Sequence, residues 1–313
     1  MMRVLILLYL AIVSVQLFCQ QLPTSTHYLL NRFAFNPAFA GIKPCSEFTL
    51  GNKQQWAGMN GAPSTAYANY HNRWNKKDKY PDAIHGYGIG LAADQIGFES
   101  RTFVRFAYAY HLKVLKNYRL SFGIYAGLQD YSFNLQEVNV PDKNIDPAIG
   151  NETNRSLIAP EVSPGMFFYG KNYFIGLSSF QIFPTRMYRI GTNQQRLAAH
   201  YFLMSGYRFR GQKIDYLPSF LMSFTPFAPP TVDFSLLIEY DQKVGLILGS
   251  KYLNSAYVCL NLNVGKKLTL GYAYEYALNE INRTNPSTNE IVLSFSKCYR
   301  QDKTPKIFCP AYQ

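Results

Sequence analysis

The alternation of apolar with small or polar residues, repeated in short segments from about residue 46 to residue 297, constrains this chain more than any other feature. Successive side chains of a strand point to opposite faces, so a period of two marks sheets with two different environments. In Val104-Arg105-Phe106-Ala107-Tyr108-Ala109-Tyr110-His111 one face carries Val, Phe, Tyr and Tyr, the other Arg, Ala, Ala and His. Gly271 to Tyr276 sets three tyrosines against Gly, Ala and Glu. Val258, Leu260, Leu262 and Val264 alternate with Tyr257, Cys259, Asn261 and Asn263. Ile291, Leu293 and Phe295 alternate with Val292, Ser294 and Ser296.

About fourteen such segments lie near 46–57, 64–73, 85–94, 102–113, 118–128, 160–169, 172–182, 197–209, 213–225, 231–240, 243–252, 255–264, 267–277 and 288–297. Each is close to the roughly ten residues that a tilted strand needs to cross a bilayer. Beyond the N-terminal signal no run of roughly 18 apolar residues occurs, so no spanning helix is expected. Aromatics make up 16% of the chain and charged residues 16%, whereas soluble domains average roughly 25% charged. These observations predict an all-β fold, a transmembrane antiparallel up-and-down β-barrel in the cell outer membrane, apolar outside and polar in the lumen. A secreted β-sandwich is the alternative, and it has no need of 25 tyrosines. An arginine on the apolar face, at Tyr274 or Leu262, is expected to cost more than one at lumen-side Ala273.

Four regions follow. Residues 1–19 read as a signal peptide: Arg3 charges its start, Val4 to Val15 is apolar, and the polar turn at Gln16 to Gln20 places cleavage after Cys19. A lipoprotein reading would acylate Cys19, but Phe18 before it is not small. Residues 20–45 are expected to be an N-terminal periplasmic segment, 46–298 the barrel and 299–313 a C-terminal periplasmic tail. Short connections at 114–117, 170–171, 210–212, 241–242 and 265–266 alternate with long ones at 129–159, 183–196 and 278–288. Barrels of this class have short periplasmic turns and long outer loops, so the loop Gln129–Ala159 is expected outside and both mature termini inside. Residues 75–84 and 253–254 break that parity.

The side chains offer little chemistry. His27, His71, His85, His111 and His200 share no metal-ligand spacing and read as lumen or interface residues. Gly86, Gly88 and Gly90 sit inside a strand pattern with no helix after them, which makes them small packing residues against a neighbouring strand and not a phosphate loop. Asp142, Asn144 and Asp146 open like a calcium loop, but Pro147 and Thr153 stand where Gly and Glu are needed. No catalytic serine set assembles, so no enzyme, cofactor or metal is expected. Lumen-side charge looks sparse, with Arg105, Glu239 and Glu275 the clear cases. The net charge of +12 is either a scatter over turns and lumen or an attraction to anionic headgroups or an acidic partner; nucleic acid is not expected. Cys298 and Cys309 flank a short stretch after the last strand and form a candidate disulfide in an oxidising compartment, with two free thiols as the alternative.

Asn31-Arg32-Phe33-Ala34-Phe35-Asn36-Pro37-Ala38-Phe39-Ala40-Gly41 resembles the N-terminal signature of the PorP/SprF family of type IX secretion system membrane proteins. Gln55-Trp56-Ala57-Gly58, Gly61-Ala62-Pro63-Ser64-Thr65, Gly88 to Asp94, Leu120 to Gly123, Leu217-Pro218-Ser219, Gly271 to Glu275 and Cys309-Pro310-Ala311-Tyr312 continue the resemblance in order. Asn289-Glu290-Ile291 departs from the family's His-Glu-Ile. The resemblance implies a non-enzymatic part of the secretion and gliding machinery of Bacteroidetes-type bacteria. Such a protein supports export or anchoring of proteins with C-terminal sorting domains. Secretion-system components, a surface adhesin or other exported protein, and outer-membrane lipids are its implied partners. Asn36, Pro37 and Gly41 are expected to form a fixed turn ahead of the barrel, and Trp56, Gly58 and Pro63 to shape the first outer loop. A transport barrel for small solutes or lipids is the alternative.

Overall fold

The computed structural model describes residues 25–74, 83–115, 117–134, 154–183, 186–190, 193–226, 228–252, 254–265, 267–280 and 287–298. The strands, in chain order, are β1 (Cys45–Gln54), β2 (Ser64–Arg73), β3 (Ala83–Ile96), β4 (Glu99–Leu115), β5 (Tyr118–Asn134), β6 (Asn154–Tyr169), β7 (Tyr173–Phe180), β8 (Arg186–Ile190) and β9 (Asn193–Arg196). They continue as β10 (His200–Tyr207), β11 (Phe209–Arg210), β12 (Ile214–Phe224), β13 (Thr231–Tyr240), β14 (Val244–Lys251), β15 (Ser255–Val264), β16 (Leu268–Ala277) and β17 (Ser287–Cys298). All barrel neighbours are antiparallel. The sheet closes where β10 pairs with both β7 and β12, and β1 pairs with β17, giving a closed barrel of fourteen strands. The two-residue β11 only extends the β12 edge, and β8 with β9 forms a separate hairpin in the β7–β10 connection.

Closure leaves no free edge, which satisfies the backbone within a membrane. The faces follow the alternation in the sequence: Tyr274 is 37% exposed on the outside and its neighbour Ala273 is 1% exposed on the inside. Leu260, Leu262, Tyr272, Ile291, Leu293 and Phe295 are all exposed outward, an apolar belt. Four strands, β3 to β6, run 14 to 17 residues, longer than a crossing needs. They carry the ladder between β5 and β6 up to Asn134 and Asn154, so the connection expected over Gln129–Ala159 shrinks to residues 135–153. The alternation continues beyond a single crossing there, and pairing follows it. Asp142, Asn144 and Asp146 lie outside the described residues.

One end of the barrel carries Cys45, Cys298 and the short β4–β5, β6–β7, β13–β14 and β15–β16 turns; the other carries the β5–β6 and β7–β10 connections, along with the short β3–β4 and β14–β15 turns. We call these the turn end and the loop end.

Candidate functional site

The lumen is not empty. The described part of the segment expected ahead of the barrel, residues 25–44, lies inside it and contributes much of the buried core, including Tyr28, Leu29, Phe33, Phe35, Ala38 and Phe39. The expectation that 20–45 would be periplasmic is corrected for this stretch. The reason is composition: a segment this apolar and aromatic loses hydration cost by packing, and the inward faces of β4 to β7 and β10 offer Phe103, Tyr125, Phe167, Phe174 and Phe202 to pack on. Aromatic pairs lock the two together, with Phe33–Tyr125 and Phe39–Phe167 ring centroids at 5.4 Å and Phe35–Phe202 at 5.5 Å.

The segment descends from the loop end to the turn end. At its top, Glu290 of β17 accepts four hydrogen bonds: Ser25 Oγ at 2.5 Å and Tyr67 OH at 2.8 Å on Oε1, Thr26 N at 2.6 Å and His27 N at 3.0 Å on Oε2. Glu275 of β16 accepts from Thr26 Oγ1 at 2.5 Å, Ser255 Oγ at 2.6 Å and Lys251 Nζ at 2.6 Å. A buried carboxylate without such donors would be costly; with them it becomes a strong anchor. Below, His27 Nε2 meets Asn261 Oδ1 at 2.5 Å. Burial is the largest influence on the His27 imidazole and holds it below its ordinary range, against the pull of Glu290. Tyr28 OH reaches Ser235 at 2.7 Å and Ser219 at 3.1 Å.

The middle of the segment is a single helical turn, α1 (Arg32–Phe35), followed by a 3-10 turn, Pro37–Phe39. Asn36 joins them. Its Oδ1 accepts from Ala38 N at 2.9 Å, capping the 3-10 turn, and its Nδ2 donates to Met166 O and Leu177 O, both at 3.0 Å. Pro37 at the first position costs no hydrogen bond, since that N–H would be unpaired anyway. Ser178 Oγ donates to Phe35 O at 2.5 Å, Ser121 Oγ to Ala38 O at 2.8 Å, and Tyr125 OH to Phe33 O. His111 Nε2 donates to Ala40 O at 2.7 Å, leaving Nδ1 to accept from Tyr169 OH at 3.0 Å.

Gly41 turns the chain out toward β1 with φ of 76°, a conformation that favours glycine. Its backbone lies against Gly86 of β3: a Cβ on Gly86 would stand 2.0 Å from Ala40 O. Gly86 thus makes room for the lumen segment; Gly88 faces both the ring of Phe33 and the neighbouring strand β2 at Tyr70 O and His71 Cβ, and Gly90 faces β2 through Asn69. Asn36, Pro37 and Gly41 therefore form a turn inside the barrel and not ahead of it.

Trp56, Gly58 and Pro63 lie in the β1–β2 connection at the loop end. Trp56 and Gly58 have φ of 50° and 97°, Ala57 N donates to Ser287 O at 2.9 Å, and Pro63 O accepts from Gln55 N at 2.9 Å. Cys298 does not bond Cys309. It is joined to Cys45, its register partner across the β1–β17 seam, and Cys309 lies outside the described residues. Barrel closure brings together two cysteines 253 residues apart, which spacing along the chain does not reveal. Lumen charge is also richer than the alternation suggested: Glu47, Lys53, Asp94, Arg101, Arg119, Glu161, Arg208 and Asp233 are all buried inward. Glu47, Arg119 and Asp233 stand in the inward phase of alternating stretches, beside apolar Phe48, Leu120 and Phe234, so the pattern itself carried a signal for them. Arg208 pairs with Glu239 at 2.6 Å and Arg105 with Glu161 at 2.7 Å. Among the described residues no three His, Cys, Asp or Glu side chains are grouped to hold a metal.

A family model for the type IX secretion system membrane protein PorP/SprF matches residues 17–295. No curated protein matches the chain. Among solved structures, the chain is similar to the toluene transporter TbuX of Ralstonia pickettii, with a TM-score of 0.52 and 12% identity over 88% of this chain and 94% of that one. It is similar also to the deltaS2 mutant of the TodX monoaromatic hydrocarbon channel, with a TM-score of 0.50 and 10% identity over 88% and 95% of the two chains. At these identities the likeness is one of fold.

Proposed function

The chain belongs to the PorP/SprF family of type IX secretion system membrane proteins, and from that premise we propose that it supports export or surface anchoring of proteins with C-terminal sorting domains, by binding and not by catalysis. It is an outer-membrane β-barrel, and its family associates with other secretion-system components; the family is not a known enzyme family. The observation that carries the reading is the family match over almost the whole barrel. The filled lumen supports it. With residues 25–44 in place there is no room for a polypeptide inside, so cargo passes beside this barrel and is met by its surfaces. In this reading residues 1–19 are removed, the turn end and the tail 299–313 face the periplasm, and the loop end faces outward. A surface adhesin or another exported protein docks on those ends, and lipids cover the apolar belt. Trp56, Gly58 and Pro63 hold the shape of the first outer loop.

The test is quantitative proteomics of the cell surface and medium of a deletion strain, with affinity capture of the tagged barrel. Loss of one or more proteins with C-terminal sorting domains, and co-purification of a secretion component, is the expected result. An unchanged surface proteome with no such partner captured overturns the reading. Transport of a small solute then becomes the better account, a role favoured only by the fold shared with TbuX.

A further inference from the structure

The exposed positive charge of the barrel is gathered at one end. Among the residues whose exposure is described, every exposed lysine or arginine stands at the turn end. Lys113, Lys171, Arg210 and Lys213 lie at or beside the β4–β5, β6–β7 and β10–β12 connections. Lys243 and Lys267 lie at the next two turns, and Lys297 near the end of β17. One carboxylate is exposed beside them, Asp241, and it is taken up by Lys243 at 2.5 Å. Toward the loop end the described cations are buried or half-buried, and their charge is met inside the barrel: Arg105 by Glu161 at 2.7 Å and Lys251 by Glu275 at 2.6 Å.

The depth of these cations is fixed by the residues next to them. Where the strands enter the turns, the outer face is aromatic. Tyr207, Phe209, Tyr216 and Tyr240 are exposed there, and Tyr118, Phe168 and Tyr173 pack on one another with ring centroids 5.5 to 5.9 Å apart. An outward aromatic girdle marks the level of the lipid headgroups. A lysine or arginine just beyond it lays its stem along the apolar face and holds its charge at phosphate level. The cations also follow the rim from β4 round to β17 and do not gather on one sector. Lipid meets such a rim on every side.

We propose that the turn-end rim binds the headgroups of anionic phospholipids, with a lysine or arginine beside the phosphate and an aromatic ring beside the upper acyl chain. A zwitterionic headgroup carries its own cation and gains little from the rim. The attraction falls off within a Debye length, roughly 10 Å at 0.1 M salt, so the leaflet at the turn end feels it and the other does not. The proposal stands apart from the role in export, because it needs only the barrel in a membrane.

Electron spin resonance of labelled lipids tests this on the purified full-length protein in phosphatidylcholine vesicles. The measured quantity is the association constant of spin-labelled phosphatidylglycerol relative to spin-labelled phosphatidylcholine. In wild type it is expected to exceed one, by up to about fivefold for a headgroup on one cation, and to fall towards one at about 1 M salt. Lys171→Gln, Lys213→Gln and Lys267→Gln combined are expected to lower it. Lys171→Arg, Lys213→Arg and Lys267→Arg combined keep the charge and are expected to match wild type. Heat-modifiable migration shows that each protein is folded, and single Gln variants take the place of a combination that is not. A wild-type ratio of one overturns the proposal, and so does a folded glutamine variant with the wild-type ratio. If the ratio is one and an acidic soluble protein is retained by wild type but not by the glutamine variant, the rim belongs to that protein and not to lipid.

Discussion

Ser25 and Glu290 stand 265 residues apart and meet through a hydrogen bond of 2.5 Å, which ties the top of the lumen segment to the last strand of the barrel. The same carboxylate also holds Thr26, His27 and Tyr67. Replacing it leaves four donors without their acceptor. Glu290→Ala is therefore expected to destabilise the docked segment by at least about 2 kcal/mol, since bonds to a charged group contribute about 1.5–3 kcal/mol each. Limited proteolysis with N-terminal sequencing reads this directly: cleavage within residues 25–44 should appear in the variant while the strands stay protected. Equal protection in both proteins would show that the aromatic contacts hold the segment without Glu290.

Glycine spacing gives a second expectation. A methyl on Gly123 would enter the backbone of Ala38, which cannot move aside without lifting the segment from the wall. A methyl on Gly90 meets only the Oδ1 of Asn69, at 3.0 Å, and a side chain can yield. Gly123→Ala is expected to cost about 1–3 kcal/mol by overpacking, and Gly90→Ala clearly less. The midpoint of the heat-modifiable gel shift is the measurement, and equal midpoints for the two variants would contradict the assignment.

The wall was legible in the sequence and its contents were not. The alternation at Val258–Val264 and Gly271–Tyr276 identifies both faces, because a strand's side-chain period is fixed by its backbone. The boundaries of β2, β13 and β15 follow from the same pattern. Nothing periodic marks Thr26 to Gly41, whose turns are single and whose partners lie on eight or more different strands. The family-like motifs did point to it. Gly123, Ser219, Glu275 and Glu290 all belong to those stretches, and they share contact with one segment. Motif residues scattered over a barrel were thus the available signal for a common internal occupant.

The filled lumen also reverses one expectation. An arginine at Tyr274 or Leu262 enters the apolar belt and should cost roughly 2–4 kcal/mol near the midplane. At Ala273, 1% exposed beneath the segment, the same side chain has no aqueous lumen to enter and needs both volume and a partner for its charge. Ala273→Arg is expected to be at least as damaging as Tyr274→Arg, while Ala273→Ser is mild. Assembly yield into vesicles compares the three; a well-tolerated Ala273→Arg would mean that the segment leaves that face open.

The Cys45–Cys298 bond closes the seam where the first and last strands meet at the turn end. It links the two ends of the barrel across 253 residues. Long loops of this kind stabilise by about 2–5 kcal/mol in the chain-entropy account. Cys45→Ser is expected to lower the unfolding midpoint of the unreduced protein and to leave the midpoint under reductant unchanged. Alkylation of native, unreduced protein should label neither Cys45 nor Cys298. Labelling of both would remove the bond from the account.

Acidity should loosen the top of the lumen segment through His27, which lies on that segment and outside the membrane-crossing strands. Burial holds its imidazole below the ordinary value of 6.5, so the docked state resists taking a proton that the released state accepts. Above 6.5 both states are neutral and His27 makes docking independent of pH. As pH falls below 6.5 the released state gains the proton first, and docking weakens by at most about 1.4 kcal/mol per pH unit until the docked imidazole titrates as well. The Nε2 contact to Asn261 does not prevent this, because the buried Nδ1 has no partner among the described residues. Protonation there adds a charge near Arg32, which opposes it, and near Glu290, which favours it; burial outweighs both. Protease sensitivity of residues 25–44 is therefore expected to rise between pH 7 and pH 5. His27→Gln keeps a donor toward Asn261 but cannot titrate, so it should flatten that part of the profile. A profile identical to wild type in His27→Gln would remove His27 as the source of the acid sensitivity.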